Sequence, residues 1–400
     1  MNNKKINDLF LKFIKALPLG TILRILNPEK KQPLSPQPSP LQIQKILFIK
    51  LEGMGDSVYL LEIIHRLYSL YPSLKIDVLS TGGNPLFPLF KDSLGEFRKL
   101  GLKLLKPLNP VSYFKTVRKI NKENYDMIFD FTVMPVNIPI MLLFVKSYKA
   151  GFDMLDLRKK SYNYVISIDK NIHIFDNYLN LIKPFLSISG EKKFTIYVPK
   201  TAVETGGVGR NFINLVLSSS GGGNMNRILP HDNSALLINL LVKNFPGCKI
   251  NLLGGPTDYA YLEQLCAGLT QDLSVGLSAG LKTDMAVVTP DIVSVKRTKN
   301  IREAMELLKN SLFNICIDSG LMHMSSLVNP NTYCLFGYSS PVNSLPFNNI
   351  GYYAADIDCA PCSFYQISEC KTLECMGKID VTKIIEAISQ NLTQATAVNT

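Results

Sequence analysis

Residues 45–64 read KILFIKLEGMGDSVYLLEII, and this stretch decides the fold class. Lys45 to Leu51 form an apolar, β-branched run of strand length. Gly53 and Gly55 interrupt it, and Val58, Leu61, Ile64, Leu67, Tyr68 and Tyr71 then recur at helical spacing until Pro72 stops the pattern. Strand, glycine loop and helix in that order open a parallel α/β sheet. The alternation continues with KIDVLS at 75–80, a helix near 110–123 and the strand YDMIFDFTV at 125–133. After a strand-like FTIYVP at 194–199 it restarts with NFINLVLSSSGGG at 211–223 and helices around 233–244 and near 258–268, with KINLLGGP at 249–256 between them. DIVSVKR at 291–297, a helix from Ile301 to Leu308, FNICIDSG at 313–320, a helix at 321–328, TYCLFG at 332–337 and a last helix from Val381 to Ser389 complete the series. Two such series predict two doubly wound, Rossmann-like domains with a cleft between them, at 41–205 and 206–390, followed by a tail at 391–400.

The composition agrees with a folded chain of this size. Of 400 residues 46% are apolar and 19% are charged, which excludes a disordered polymer. The longest apolar run, Ile138 to Val145, contains Pro139 and is far short of the ~20 residues that span a bilayer. The net charge of +11 is uneven. Residues 1–40 carry seven basic side chains against Asp8 and Glu29. Within them Ile6, Leu9, Phe10, Phe13, Ile14 and Leu17 make an apolar helical stripe, and prolines at 28, 33, 36, 38 and 40 make an extended linker. Lys12 and Lys15 break the stripe too early for a signal peptide. The segment reads either as a helix docked on the protein's own body or as a peripheral contact with an anionic membrane surface. With no export signal, the expected compartment is the reducing cytoplasm.

Eight cysteines fall into two groups. Cys248, Cys266, Cys316 and Cys334 lie in apolar segments as small hydrophobes. Cys359, Cys362, Cys370 and Cys375 form a C-x2-C-x7-C-x4-C arrangement, loose for a zinc knuckle, and open to three readings: a structural metal, thiol redox chemistry or plain loop cysteines.

Ligands of open parallel sheets bind beyond the carboxyl ends of the strands, so the strand-to-helix loops carry the chemistry. The loop Gly53-Met54-Gly55-Asp56-Ser57 places a carboxylate, Asp56, at a helix start, as a catalytic group or as a helix cap. Val58 stands where a dinucleotide fingerprint has its third glycine, which disfavours a nicotinamide site. Asp318-Ser319-Gly320-Leu321-Met322-His323 sets backbone N–H groups at a positive helix end, a seat for phosphate, with His323 one turn on. Ser218-Ser219-Ser220-Gly221-Gly222-Gly223 leads to Arg227, whose guanidinium fork suits a diphosphate, and Gly254-Gly255-Pro256 closes a neighbouring strand.

These loops, in this order, resemble the family-9 glycosyltransferases, the bacterial heptosyltransferases of the lipopolysaccharide inner core. The likeness runs from about Lys45 to Ile388 and includes KILFIKLEGMGDSVYLLEII, YDMIFDFTV with a GFDM turn at 151–154, NIHIFDNYLNLI, LLGGPTD, CIDSGLMHMSSLVNPNTYCLFG and the cysteine-bearing ending. The family has a basic residue followed closely by Trp-Pro in the third loop. Here the stretch is Asn226-Arg227-Ile228-Leu229-Pro230, and the chain has no Trp. The resemblance implies a GT-B fold and inverting transfer of a heptose from ADP-heptose to a hydroxyl of an acidic, lipid-linked saccharide, without metal or cofactor. It implies Asp56 as general base, with Gly53, Met54 and Gly55 shaping its loop. Arg227, Asp318, Ser319, Gly320, His323, Ser219, Ser220, Gly254 and Gly255 would hold the donor.

Two other classes fit the scaffold, a nucleotide-sugar epimerase and a non-catalytic sugar-nucleotide binding protein. An epimerase needs acid/base groups on both faces of the sugar, and only Asp56 is supported in the N-terminal half. No RNP, helix-turn-helix or finger pattern accompanies the positive charge, so no nucleic-acid partner is expected. Removal of residues 1–40 is expected to lower binding to anionic vesicles in a flotation assay; an unchanged partition assigns the stripe to the protein's own body.

Overall fold

The computed structural model describes residues 42–51, 53–81, 84–93, 101–105, 110–132, 142, 145–153, 161–196, 211–219, 227–278, 288–362, 370 and 374–397. The basic segment and linker at 1–40 lie outside them, as does the loop 220–226. The chain separates into two units, Met1–Pro199 and Lys200–Thr400.

In the first unit, β1 (Lys45–Ile49), β2 (Lys75–Thr81), β3 (Gly101–Leu105), β4 (Met127–Asp130), β5 (Tyr148–Phe152) and β6 (Tyr164–Ile166) form one sheet in the order β3-β2-β1-β4-β5-β6. All its pairings are parallel. Helices α1 (Met54–Leu70), α2 (Leu86–Ser93), α3 (Pro110–Glu123) and α4 (Ile174–Ile182) connect or cover the strands. Ile46 to Ile49 are fully buried, as a strand covered on both faces requires. The chain reverses its direction of travel across the sheet between β1 and β4, which makes their carboxyl ends the switch point.

Helix α1 is buried nearly all round, from Val58 to Tyr68. Two of its charged members, Glu62 and Arg66, are buried and paired at 2.6 Å. Glu62 also accepts hydrogen bonds from the Thr195 and Ile196 N–H groups (2.9 and 3.1 Å), and Arg66 donates to the carbonyls of Ser189 and Lys193 (2.9 and 2.6 Å). This corrects the strand expected at 194–199 over its described part. Thr195 and Ile196 spend their backbone donors on a carboxylate instead of a neighbouring strand. The GFDM stretch differs too: Gly151 and Phe152 end β5, and a Cβ on Gly151 would lie 2.6 Å from the Tyr162 ring.

The second unit repeats the same connectivity. Strands β7 (Phe212–Val216), β8 (Lys249–Leu253), β9 (Val293–Lys296), β10 (Asn314–Ile317), β11 (Thr332–Phe336) and β12 (Gly351–Ala354) lie in the order β12-β11-β10-β7-β8-β9, again parallel, with the switch point between β7 and β10. Helices α5 (His231–Asn244), α6 (Tyr259–Ser278), α7 (Ile301–Asn310), α8 (Gly320–Val328), α9 (Pro341–Ser344), α10 (Glu374–Gly377) and α11 (Val381–Ala397) accompany them. Leu237, Ile238 and Leu241 of α5 share one core with Ile384, Ile385 and Ile388 of α11. Helix α11 continues past Ser389 to Ala397, so residues 391–397 are not a separate tail. No Gly or Pro interrupts 390–397, and Asn391 donates to the Tyr333 hydroxyl at 3.2 Å.

Register in this sheet is fixed by a buried amide row. Asn251, Asn214 and Asn314 are neighbours on β8, β7 and β10. Asn251 Nδ2 donates to Asn214 Oδ1 (3.0 Å), Asn214 Nδ2 to Asn314 Oδ1 (2.8 Å) and Asn314 Nδ2 to the Leu308 carbonyl (2.9 Å). A one-residue slip would strand all three amides, at about 1–3 kcal/mol for each unsatisfied group.

On β5 the Lys149 ammonium is buried and donates to the carbonyls of Val145 (2.7 Å) and Ser147 (3.1 Å). Burial pulls it from an ordinary 10.5 down to about 8. Between those values the unfolded chain binds the extra proton, so folded-state stability should rise with pH through this window and carry the full penalty below it. Urea unfolding of wild type and Lys149→Met is expected to show that rise in wild type and a flatter curve in the variant.

Candidate functional site

The first candidate group lies beyond the carboxyl end of β1. Gly53 caps α1 with φ +74°, in the left-handed region, and donates no side chain to the cap. Its carbonyl accepts from the Ser57 hydroxyl (2.9 Å), and Asn84 Nδ2 donates to the same hydroxyl (2.8 Å), so two buried side chains clamp the loop. Met54 and Gly55 are the first two helical residues and Asp56 the third. Asp56 is therefore not the helix cap. Its Oδ2 faces the Lys50 ammonium at 3.4 Å, with the Lys50 side chain 2% exposed and that of Asp56 36% exposed. Asp56 Oδ1 has no partner among the described residues. The Lys50 ammonium also lies 5.6 Å from the ring centroid of Tyr178, and that ring packs on Phe131 with centroids 4.9 Å apart. A Cβ on Gly53 would meet Asp56 Oδ2 at 3.1 Å and Lys50 Nζ at 3.5 Å. The left-handed backbone angle favours glycine here, and a Cβ would also crowd the Asp56 carboxylate.

Two other polar groups near this end are fully committed. Asp130, at the end of β4, accepts from the Thr132 N–H (2.9 Å), the Thr132 hydroxyl and the Tyr162 hydroxyl. His173 caps α4, its Nδ1 accepting from the Phe175 N–H (3.1 Å), and its ring meets Tyr59 edge-on.

The second group lies beyond β7, β10 and β11. Ser319 caps α8, its hydroxyl accepting from the Met322 N–H (3.2 Å), while the His323 N–H reaches the Ser319 carbonyl (3.4 Å). The N–H groups of Gly320 and Leu321 at this positive helix end have no partner among the described residues. His323 is buried, with Nε2 4.0 Å from Asp318 Oδ1. Ser219 and Arg227 close the base of the serine–glycine loop through a backbone bond of 2.8 Å from the Ser219 N–H to the Arg227 carbonyl; Ser220 lies outside the described residues. The Arg227 guanidinium stands 5.4 Å from the ring centroid of Tyr338, at the end of β11. Burial pushes the Tyr338 phenol above its ordinary range, Arg227 pulls it back and the Asp318 carboxylate adds to the rise. The structure thus gathers Arg227, Tyr338 and Asp318 in one neighbourhood, with His323 against Asp318.

Gly254 and Gly255 have local roles. The Gly255 N–H donates to Asp258 Oδ2 (2.8 Å), and a Cβ on Gly254 would lie 2.8 Å from the Asp258 Cβ. Cys359, Cys362, Cys370 and Cys375 are free thiols whose charges would influence one another, and Cys362 Sγ donates to the Cys359 carbonyl at 3.3 Å. Among the described residues no group of three or more His, Cys, Asp or Glu side chains is placed to hold a metal ion.

Lys50, Asn84 and Tyr338 are site residues that sequence reasoning missed. Lys50 had a signal: a lysine closing the apolar run KILFI must find a counter-charge once the strand is buried. Nothing in the sequence around Tyr338 marks it.

Two Rossmann-like domains of the same strand order, each with polar groups gathered at its switch point, are the architecture of the GT-B fold. The chain belongs to glycosyltransferase family 9 (heptosyltransferase), whose model matches residues 113–372. Lipopolysaccharide heptosyltransferase 1 of Campylobacter coli is 21% identical over 312 residues, covering 73% of this chain and 84% of that protein. Among solved structures, E. coli ADP-heptose lps heptosyltransferase II aligns with a TM-score of 0.61 at 17% identity over 88% of this chain and 99% of the other. E. coli heptosyltransferase WaaC with ADP gives 0.59 at 15%, covering 87% and 99%. A family 9 glycosyl transferase from Veillonella parvula gives 0.66 at 13%, covering 88% and 98%.

Gly53→Ala is expected to destabilise the first unit by about 1–2 kcal/mol in urea unfolding, because it forces a Cβ into the left-handed region against the Asp56 carboxylate.

Proposed function

We propose that this family-9 enzyme transfers a heptose from ADP-heptose to a sugar hydroxyl of a lipopolysaccharide core acceptor with inversion, using Asp56 as general base. The observation that carries the reading is the state of the Asp56 carboxylate. One oxygen is held by a buried ammonium and the other has no partner among the described residues, on a side chain 36% exposed beyond the carboxyl end of β1. A sugar hydroxyl is a poor nucleophile until its proton is taken. In this reading Asp56 takes it as the acceptor oxygen attacks the anomeric carbon. The bond from that carbon to the diphosphate oxygen breaks, and its electron pair leaves with ADP.

The second unit supplies groups suited to the leaving diphosphate. The N–H groups of Gly320 and Leu321, without a partner among the described residues, sit at the positive end of α8, and Arg227 and His323 add side-chain donors. These groups meet the developing charge without a metal. The names of the similar proteins support the donor and acceptor class: one was solved with ADP, and the Campylobacter coli relative is a lipopolysaccharide heptosyltransferase. A lipid-linked acceptor places the reaction at the cytoplasmic face of a membrane. The basic charge and apolar stripe of residues 1–40 suit a peripheral contact with an anionic membrane surface.

Asp56→Asn is nearly isosteric and removes the base. It is expected to lower turnover by about 10²–10⁴-fold and to leave ADP-heptose affinity, read by calorimetry, unchanged within about twofold. Arg227→Ala should instead weaken ADP binding. Turnover retained in Asp56→Asn would overturn the base assignment, and interconversion of free donor would favour an epimerase.

A further inference from the structure

The Lys50 side chain is fixed from root to tip. The Lys50 backbone N–H donates to the Leu79 carbonyl of β2 (3.0 Å), and the next rung on the other side joins the Phe131 N–H to the Ile49 carbonyl (2.9 Å). The ammonium lies over the Tyr178 ring, itself held among Phe131 and Phe152, with centroids 4.9 and 6.1 Å away. Only 2% of the side chain meets solvent. A buried ammonium is costly without a counter-charge, so it draws a carboxylate to itself instead of following one outward. Asp56 is a side chain on the first turn of a helix and 36% exposed, and a free aspartate there has three staggered χ1 wells to visit. The ion pair through Oδ2 selects one of them and leaves Oδ1 without a partner among the described residues.

We propose that Lys50 is a positioning residue: through its ion pair with Oδ2 it sets the orientation in which Oδ1 of Asp56 meets the acceptor hydroxyl. The inference rests on the reading of Asp56 as the general base and adds a second residue to it. Lys50 does not touch substrate in this assignment; it acts through Asp56. Misplacing a reacting group by about an ångström can cost roughly 10²-fold in rate. Replacement by Met keeps the volume and the apolar contacts with Tyr178 while deleting the charge, so the fold has little to lose.

The test is a double-mutant cycle on the full chain, read with ADP-heptose and a core acceptor under single-turnover conditions with enzyme in excess. Lys50→Met is expected to lower the transfer rate by about 10–100-fold with donor affinity and the unfolding midpoint little changed. In the Asp56→Asn background the same substitution should change the residual rate by less than about twofold, because its effect runs through the missing carboxylate. Equal losses in both backgrounds, or a full rate for Lys50→Met alone, would overturn the proposal. If Lys50→Met lacks a cooperative unfolding transition, Lys50→Gln is read in the same cycle. The two readings fail separately. A full rate in Asp56→Asn sinks the base assignment, whereas a large loss there combined with additive behaviour of Lys50→Met keeps the base and removes Lys50 from its control.

Discussion

An all-parallel sheet covered on both faces has one edge left for chemistry, and the rest of this molecule follows from that restriction. Strand interiors such as Ile46 to Ile49 and Asn314 to Ile317 are sealed, so a side chain meets a ligand only where a strand gives way to a helix. In both units the groups of interest collect where the strand order reverses, beyond β1 in one and beyond β7 and β10 in the other. The backbone there turns through glycine or a capping serine, and the first helical N–H groups lack intrahelical partners by construction.

What keeps those edges aligned is polar and buried. The Asn251–Asn214–Asn314 row fixes three strands of the second sheet at one register and ties them to the end of α7. In the first unit the Glu62–Arg66 pair does comparable work between α1 and the stretch 189–196. Apolar packing alone tolerates sliding; a row of amides that must all be satisfied does not. The carboxyl-edge loops inherit this alignment, because each begins where a registered strand ends.

Much of this was legible in the sequence. KILFIKL followed by two glycines is a parallel strand and its loop, and the restart of the alternation after residue 210 announced a second sheet. Strands β3, β5, β6 and β12 were not legible, because they are short and lack a distinctive apolar run, and β5 contains Lys149 and Gly151. Asp56 was found by its place after two glycines, yet its partner Lys50 was hidden inside a strand pattern, where side-chain type is normally read for periodicity alone. Gly254 and Gly255 were legible as glycines, but the reason for them, the Asp258 side chain packed beneath, is a contact that only three dimensions reveal. The stretch at 194–196 looked like a strand because its residues favour one, and a carboxylate from a distant helix took its donors instead.

That same carboxylate bears on how the chain can be divided. Glu62 is fully buried and draws its remaining hydrogen bonds from Thr195 and Ile196, which lie just before the junction at Pro199 and Lys200. A separately expressed first half that stopped at Ser189 would lack those donors and leave a desolvated anion with Arg66 alone. Excision therefore has to follow the hydrogen bonds and not the last strand: a first half that keeps Glu62 satisfied runs at least through Ile196, some thirty residues beyond the end of β6 at Ile166.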